Sequence, residues 1–409
     1  MVRSSKSPSG IPEIVRHVDP ALVLLIGTIL CVGLVMLTSA SISLAERNTG
    51  NPFFFFERQL GAVFLGLLGA IAMLHVASRW WERAGLVLVI LAVGMLILVL
   101  VPGFGNTVNG STRWLSVGGV NVMQVSEPAR LLMLMYISGY AVRHRVELRS
   151  SFVGFLKPML LVGAVGGLLL LEPDFGASVV MASITLSVLF VAGARLRDFF
   201  AFSLAAGCAL TVMAVASPYR MARIMAFWNP WADPYDTGFQ LTQSLIAIGS
   251  GAWTGAGLGG SVQKLFYLPE AHTDFVFAVI AEEFGLVGSL VVILLFGMLV
   301  WKVLRIARES AATGRLYQAN LAFGFAVWQA AQAFINIGVN MGILPTKGLT
   351  LPLVSYGRSS LVVTLVGLGL LMRIDCENRR IEAAGRSKRR AAPRKSASRK
   401  RPVAKRKGR

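Results

Sequence analysis

The chain has 409 residues, 55% hydrophobic and only 15% charged, with 40 Lys and Arg against 20 Asp and Glu. Soluble globular domains average about a quarter charged residues, so this balance excludes a soluble enzyme and makes lipid part of the solvent. Three cysteines (Cys31, Cys208 and Cys376), two of them in apolar runs, exclude a disulfide scaffold.

Residues 1–20 form a short N-terminal segment with Arg3, Lys6 and Arg16. Apolar runs near the length of a membrane crossing then follow at Ala21–Leu44, Leu60–Ala77, Leu86–Val101, Pro128–Val142, Phe155–Leu171, Phe175–Ala192, Phe199–Ser217, Phe275–Val303, Leu321–Met341 and Ser360–Met372. The first is too long for the core of a cleaved signal peptide and reads as a retained anchor. The predicted fold is therefore an all-α polytopic membrane protein of about ten transmembrane helices spanning 21–375, with nine or eleven as the alternatives. Basic residues cluster in alternate loops, 31 of 40 on one side. The positive-inside rule then places both termini in the cytoplasm.

Three outward segments are long: Ala45–Gln59, Pro102–Glu127 and, largest, the extracytoplasmic loop 218–274 between the seventh and eighth helices. Long structured loops usually carry function. Outward acidic residues include Glu172, Asp174, Asp233, Asp236, Glu270 and Asp274. At the other end of the chain, residues 376–409 hold 15 basic and 2 acidic residues. They predict a disordered basic cytoplasmic tail whose partner is anionic lipid. Nucleic acid is the electrostatic alternative and is not expected.

Among the motifs, Gly255–Gly260 (GAGLGG) satisfies a dinucleotide-binding pattern, but no strand precedes it, and a turn between loop helices is the simpler reading. Glu282 and Glu283 lie in an apolar helix, where ionisable groups call for a partner or a function. Asp274 stands about 12 Å along the axis from Glu282, too far for a carboxylate dyad. Glu282 is rotated from it by about 80°, so it alone of the two can share a face with Asp274, as a supporting residue. Glu283 is expected to pair with a basic side chain. Arg113, Arg130, Lys347 and Arg358 bring four cations to the outer interface, where they would suit a diphosphate ligand. His272 is the histidine nearest this site, with a hydrogen-bonding role expected. No HExxH, Cys/His ligand cluster or Walker sequence is present, so nothing points to zinc or ATP chemistry.

Three segments carry a family resemblance: Phe227–Pro234 (FWNPWADP) with Gln240–Leu245 (QLTQSL), Ser261–Phe275 (SVQKLFYLPEAHTDF) running on to Glu282-Glu283, and Leu344–Gly357 (LPTKGLTLPLVSYG). Together they resemble the bacterial SEDS family, over about Asp19 to Glu377. Their Phe-Trp-Asn-Pro-Trp and Thr-Lys-Gly forms are similar to its division branch rather than to its elongation-type relative. The resemblance implies a ten-helix peptidoglycan glycosyltransferase of the inner membrane that polymerises lipid II at the division septum. It implies a class B penicillin-binding transpeptidase (FtsI) and FtsQ, FtsL and FtsB as partners. The family's essential aspartate falls on Asp274, its Arg-Trp arginine on Arg113 and its loop lysine on Lys347.

Two departures stand out. Arg358 replaces a family glycine, and Gln124–Arg130 (QVSEPAR) carries Arg130 in place of a lysine. Arg358 is open to either a phosphate contact or a loop-packing role. Because lipid II carries its own diphosphate leaving group, one base and a set of cations suffice for the chemistry. Asp274 is then the base on the acceptor 4-hydroxyl. No cofactor is required, although a divalent cation (Mg or Mn) is compatible with the phosphate task. The competing readings are a lipid II flippase and a non-catalytic division scaffold.

Overall fold

The computed structural model describes residues 17–108, 110–118, 120–216, 221, 225–346 and 348–391. A helix stands at each of the ten predicted spans. The first four are α1 (Pro20–Thr49), α2 (Phe54–His75), α4 (Gly85–Leu100) and α5 (Ser126–Arg143), with the short α3 (Ser78–Arg83) linking two of them. After the short α6 (Arg145–Ser150) come α7 (Phe152–Leu171), α8 (Phe175–Ala192) and α9 (Leu196–Val215). The loop helix α10 (Phe239–Ser250) is followed by α11 (Val276–Ala312), α12 (Leu316–Asn340) and α13 (Arg358–Ala391). Seven of these, α1, α2, α7, α8, α11, α12 and α13, are long and apolar enough to cross a membrane by length and composition. Of the remaining three, α4 is an apolar helix of 16 residues and α5 carries Glu127 and Arg130 in its first turns.

The α-helical body matches expectation, but the second outer loop is not helical. It folds into a three-stranded antiparallel sheet, β1 (Gly105–Val108), β2 (Ser111–Val117) and β3 (Val120–Gln124), in the order β1-β2-β3. Trp114 of the central strand stands opposite Asn106 on one side and Gln124 on the other. A serine hydroxyl and an arginine tie this sheet to α13: Gln124 donates its backbone N–H to Ser359 Oγ (2.9 Å), and Arg358 Nη2 donates to the Asn121 carbonyl (3.2 Å).

Helix α11 is broken. At Gly285 the backbone turns to φ 63°, ψ −157°, a region open to glycine, and the chain continues as helix beyond it. The groups released at the break are satisfied by the segment that looked like a nucleotide motif. Ala256 and Gly257 donate to the carbonyls of Glu282 and Glu283 (3.0 and 2.9 Å), and Leu286 donates to the Ala252 carbonyl (2.9 Å). A Cβ added at Gly285 would fall 2.5 Å from Trp253 backbone. The glycines therefore permit a close backbone approach that rescues an interrupted helix, the condition under which such breaks are tolerated in apolar surroundings.

The end of the bundle away from the sheet is laced with ion pairs. Lys302 and Arg379 both reach Asp19 (2.7 and 3.2 Å), and Arg315 and Arg373 both hold Glu377. Ser78 Oγ donates to the same Glu377 carboxylate (2.6 Å). Pairs spaced four residues apart, Arg373–Glu377 and Arg379–Asp375, support α13 as it continues to Ala391. The composition of residues 376–409 predicts a disordered tail; helix instead extends through the first part of that stretch, to Ala391. Residues 1–16 and 392–409 lie outside the described residues.

Candidate active site

A large cavity opens at the sheet end of the bundle, with a volume of about 1020 Å³. Its wall draws on β2 and β3, the α7–α8 turn, the segment before α11 and the loop between α12 and α13. Arg113, Arg130, Arg358, His272 and Asp274 all line it, so it gathers five residues that lie up to 245 positions apart in sequence. Lys347 falls outside the described residues. Glu127, Asp174 and Glu270 also face the cavity, which is therefore a mixed field of arginines and carboxylates.

Asp274 is half-buried at the entrance to α11. Its backbone is fixed from two directions. The N–H donates to the Glu270 carbonyl (3.1 Å), and the carbonyl accepts from both Asn336 Nδ2 (2.8 Å) and Asn340 Nδ2 (3.0 Å) of α12. Asn336 also donates to the Leu349 carbonyl (2.6 Å), so one buried amide couples the aspartate to the α12–α13 loop. That loop closes on the carboxylate itself. A Cβ built at Gly348 would stand 2.9 Å from Asp274 Oδ2, so only glycine leaves the aspartate its position. Further along the loop, Gln332 Nε2 donates to the Thr350 carbonyl (3.1 Å) and Gln59 Nε2 to the Ser355 carbonyl (3.1 Å). Three buried amides on two helices, Asn336, Gln332 and Gln59, thus set a loop that has no regular structure of its own. Asn336, Asn340, Gln332 and Gln59 were not singled out from the sequence. Their signal is polar amides recurring within otherwise apolar helices, where each needs a partner.

The cations differ in how they are held. Arg130 is almost fully buried; its Nη1 donates to Glu127 Oε2 (3.3 Å) and lies 3.5 Å from Gln332 Oε1, and its guanidinium sits 5.2 Å from the Trp328 ring centre. Its bonds come from Nη1 alone, while its Nε is buried without a hydrogen-bond partner among the described residues. Arg358 lines the cavity while bonded to the β3 backbone, so it serves loop packing and faces the site at once. Arg113, on the central strand, lies near Glu172, whose two carboxylate oxygens are buried without a hydrogen-bond partner among the described residues. Burial pushes the Glu172 carboxyl up to about 8; Asp174 adds to the rise and Arg113 opposes it. Asp174 caps α8 through Ala177 N–H (3.0 Å) and accepts from Gln124 Nε2 (3.3 Å).

His272 is buried between aromatic rings, 4.6 Å from Phe55 and 5.7 Å from Tyr356 by ring centres, and its carbonyl accepts from Tyr356 N–H (2.9 Å). Burial holds its imidazole below the usual range, which favours the neutral ring. It packs the loop rather than supplying charge.

Glu282 does not reach the cavity. Its carboxylate accepts from Val262 N–H (2.9 Å), Gln263 N–H and Ser261 Oγ, closing the turn before the candidate aspartate. Asp274 lies in the turn before α11 begins at Val276, so a helical rotation counted from it does not place Glu282. Glu283 pairs with Lys264 (2.6 Å), both deeply buried, and also accepts from Ser39 Oγ (2.6 Å). The structural pairing expected for Glu283 is present. Among the described residues no cluster of three or more His, Cys, Asp or Glu is placed to hold a metal ion.

With this geometry in hand, the chain can be set beside known proteins. Residues 20–380 match the family model of the cell cycle proteins FtsW, RodA and SpoVE. The chain is 54% identical over 365 residues to the probable peptidoglycan glycosyltransferase FtsW of Thioalkalivibrio sulfidiphilus, covering 89% of this chain and 91% of that one. With the protein of the same name from Legionella pneumophila it shares 50% over 351 residues, 86% and 89% of the two chains. Among solved structures it resembles a chain from a study described as the structural coordination of polymerization and crosslinking by a peptidoglycan synthase complex. That match has a TM-score of 0.73 at 31% identity, covering 88% of this chain and 98% of the other. It also resembles the Thermus thermophilus rod shape determining protein RodA, with a TM-score of 0.65 at 30% identity over 88% and 97% of the two chains.

Proposed function

The chain belongs to the cell cycle protein family of FtsW, RodA and SpoVE, and from that premise we propose that it is a membrane-embedded peptidoglycan glycosyltransferase that polymerises lipid II, with Asp274 as its general base. The observation that carries this reading is the meeting of Asp274 with Arg113, Arg130 and Arg358 around one large cavity at one end of a helical bundle. A lipid-linked sugar diphosphate needs a cavity that is polar at its head and open to lipid at its side. The acceptor 4-hydroxyl gives its proton to Asp274 as its oxygen attacks the donor anomeric carbon. The bond to the undecaprenyl diphosphate breaks, and the arginines stabilise the charge gathering on that leaving group. Arg113 and Arg358 are the nearer candidates for direct phosphate contact, since Arg130 already holds Glu127. Lys347, next in sequence to the glycine that faces Asp274, is proposed as a further cation.

The names of the relatives support placing the activity in cell division. On this reading the protein works at the septum, with the cavity on the outer face of the cytoplasmic membrane. A class B penicillin-binding transpeptidase (FtsI) and FtsQ, FtsL and FtsB are its proposed partners. The first test is direct: the purified full chain, given lipid II and no other polymerase, should yield glycan strands. Lipid II left unpolymerised, in a preparation that binds it, would contradict the assignment. Lys347→Ala sharpens it, with an expected fall of about a hundredfold in glycan synthesis if the lysine stabilises the leaving group.

A further inference from the structure

A second cavity of about 420 Å³ lies at the opposite end of the bundle, between the α5–α6 corner, the end of α8, the last turns of α11 and the start of α12. Its wall is mainly apolar, and five alanines, Ala141, Ala192, Ala307, Ala311 and Ala319, leave the space open. Its volume falls within the range of small-molecule pockets, about 300–1,000 Å³. Three arginines, Arg145, Arg149 and Arg308, complete the lining and are exposed at its mouth.

Basic residues at this end of the bundle fall into two groups: Arg143 and Arg195 donate to backbone carbonyls, while others are ion-paired. Lys157, Lys302, Arg305, Arg315, Arg373 and Arg379, basic residues in the same end of the bundle, each reach a carboxylate. None of the three arginines at the cavity forms an ion pair among the described residues. Arg149 is held in place by donating Nε to the Ala192 carbonyl (3.4 Å). Three guanidinium groups without carboxylate partners among the described residues, around an apolar pocket at the helix ends of the bundle, are complementary to a molecule with an anionic phosphodiester head and a hydrocarbon chain. We propose that this cavity is a binding site for an anionic glycerophospholipid. The phosphodiester lies among Arg145, Arg149 and Arg308, and the start of an acyl chain enters the alanine-lined pocket. The site is remote from Asp274 and does not depend on the polymerase reading.

The test uses the full chain in nanodiscs of equal phosphatidylglycerol and phosphatidylcholine, with the lipids retained on release counted by native mass spectrometry. The parent should retain phosphatidylglycerol preferentially. The triple variant Arg145→Gln/Arg149→Gln/Arg308→Gln should lose that retention by about tenfold or more, since each basic contact near an anionic lipid contributes measurably. Ala311→Phe, at the rim with all charges intact, should lower it by occupying the pocket. Arg305→Gln, paired with Glu309 and outside the cavity, should leave it unchanged. Should the triple variant unfold, Arg308→Gln alone, on an exposed helix surface, carries the decision. Equal retention of the two lipids by the parent, unchanged retention in the folded arginine variant or in Ala311→Phe, or full displacement by soluble glycerol phosphate would overturn the proposal.

Discussion

Asp274 and the pair Glu282-Glu283 sit within nine residues of one another, yet their surroundings differ in kind. Glu282 and Glu283 are buried and take donors from the 261–264 turn, its backbone N–H groups, Ser261 and the Lys264 ammonium, and from Ser39 of α1. Asp274 has its backbone pinned by two asparagines while its carboxylate borders a cavity large enough for a sugar head group. The first arrangement spends carboxylates on architecture; the second fixes a carboxylate without enclosing it. What marks a reacting group here is a rigid frame around an accessible side chain, and carboxylate content alone does not reveal it.

That contrast can be broken from the structural side first. Lys264→Ala would leave Glu283 buried without its ion-pair partner, and losing one member of such a pair costs about 3–5 kcal/mol. Thermal unfolding of the purified variant in detergent should show a large drop in midpoint, with any loss of glycan synthesis following the loss of folded protein. An unchanged midpoint would show that Glu283 is not an architectural carboxylate.

A smaller effect, confined to activity, is expected when the frame around Asp274 is loosened. Asn336→Ala removes a donor to both the Asp274 and Leu349 carbonyls. Misplacement of a reacting group by even about 1 Å can cost around a hundredfold. Glycan synthesis should therefore fall about ten- to a hundredfold while lipid II binding persists. Loss of binding in proportion to rate would assign Asn336 to substrate recognition instead.

The smallest effect concerns Glu172, a buried carboxyl raised to about 8. A carboxyl raised in the folded state binds more protons there than in the unfolded chain, so stability falls as pH rises from the ordinary carboxylate range toward 8. Glu172→Gln should flatten that decline and leave the variant more stable than the parent near pH 8, measured as unfolding midpoints across pH 5 to 9. A parent midpoint that rises over this window, with the variant following it, would contradict the assignment.

The helical body was legible because membrane spans announce themselves in unbroken apolar runs, and the same runs gave the alternation of loop charge. Arg113, Arg130, Arg358, His272 and Asp274 were likewise legible as a group, since motifs and charge placed them together at the outer interface, in loops or just inside a helix. The sheet was not: β1 to β3 are short strands in a polar, glycine-containing loop, and their pairing depends on bulges and on α13. Nor was the role of GAGLGG, because it answers a helix break at Gly285 that only the folded backbone displays. The partner of Glu283 lies nineteen residues earlier, and Glu282 turns away from the cavity because Asp274 stands in a turn before the helix that carries Glu282. Periodicity counts rotation along a continuous helix and does not apply to a residue that precedes its first turn.

The central claim is that Asp274 takes the proton from the acceptor hydroxyl. Asp274→Asn keeps the size of the side chain and leaves the backbone contacts with Asn336 and Asn340 in place, but an amide cannot act as a base at neutral pH. Parent and variant, purified side by side and given lipid II, decide the matter in one assay of polymer formed against substrate bound. The account predicts bound lipid II, an unchanged unfolding midpoint, and glycan synthesis reduced about a hundred- to ten-thousandfold with no recovery at higher pH. An Asn variant that polymerises lipid II at the parent rate would contradict it.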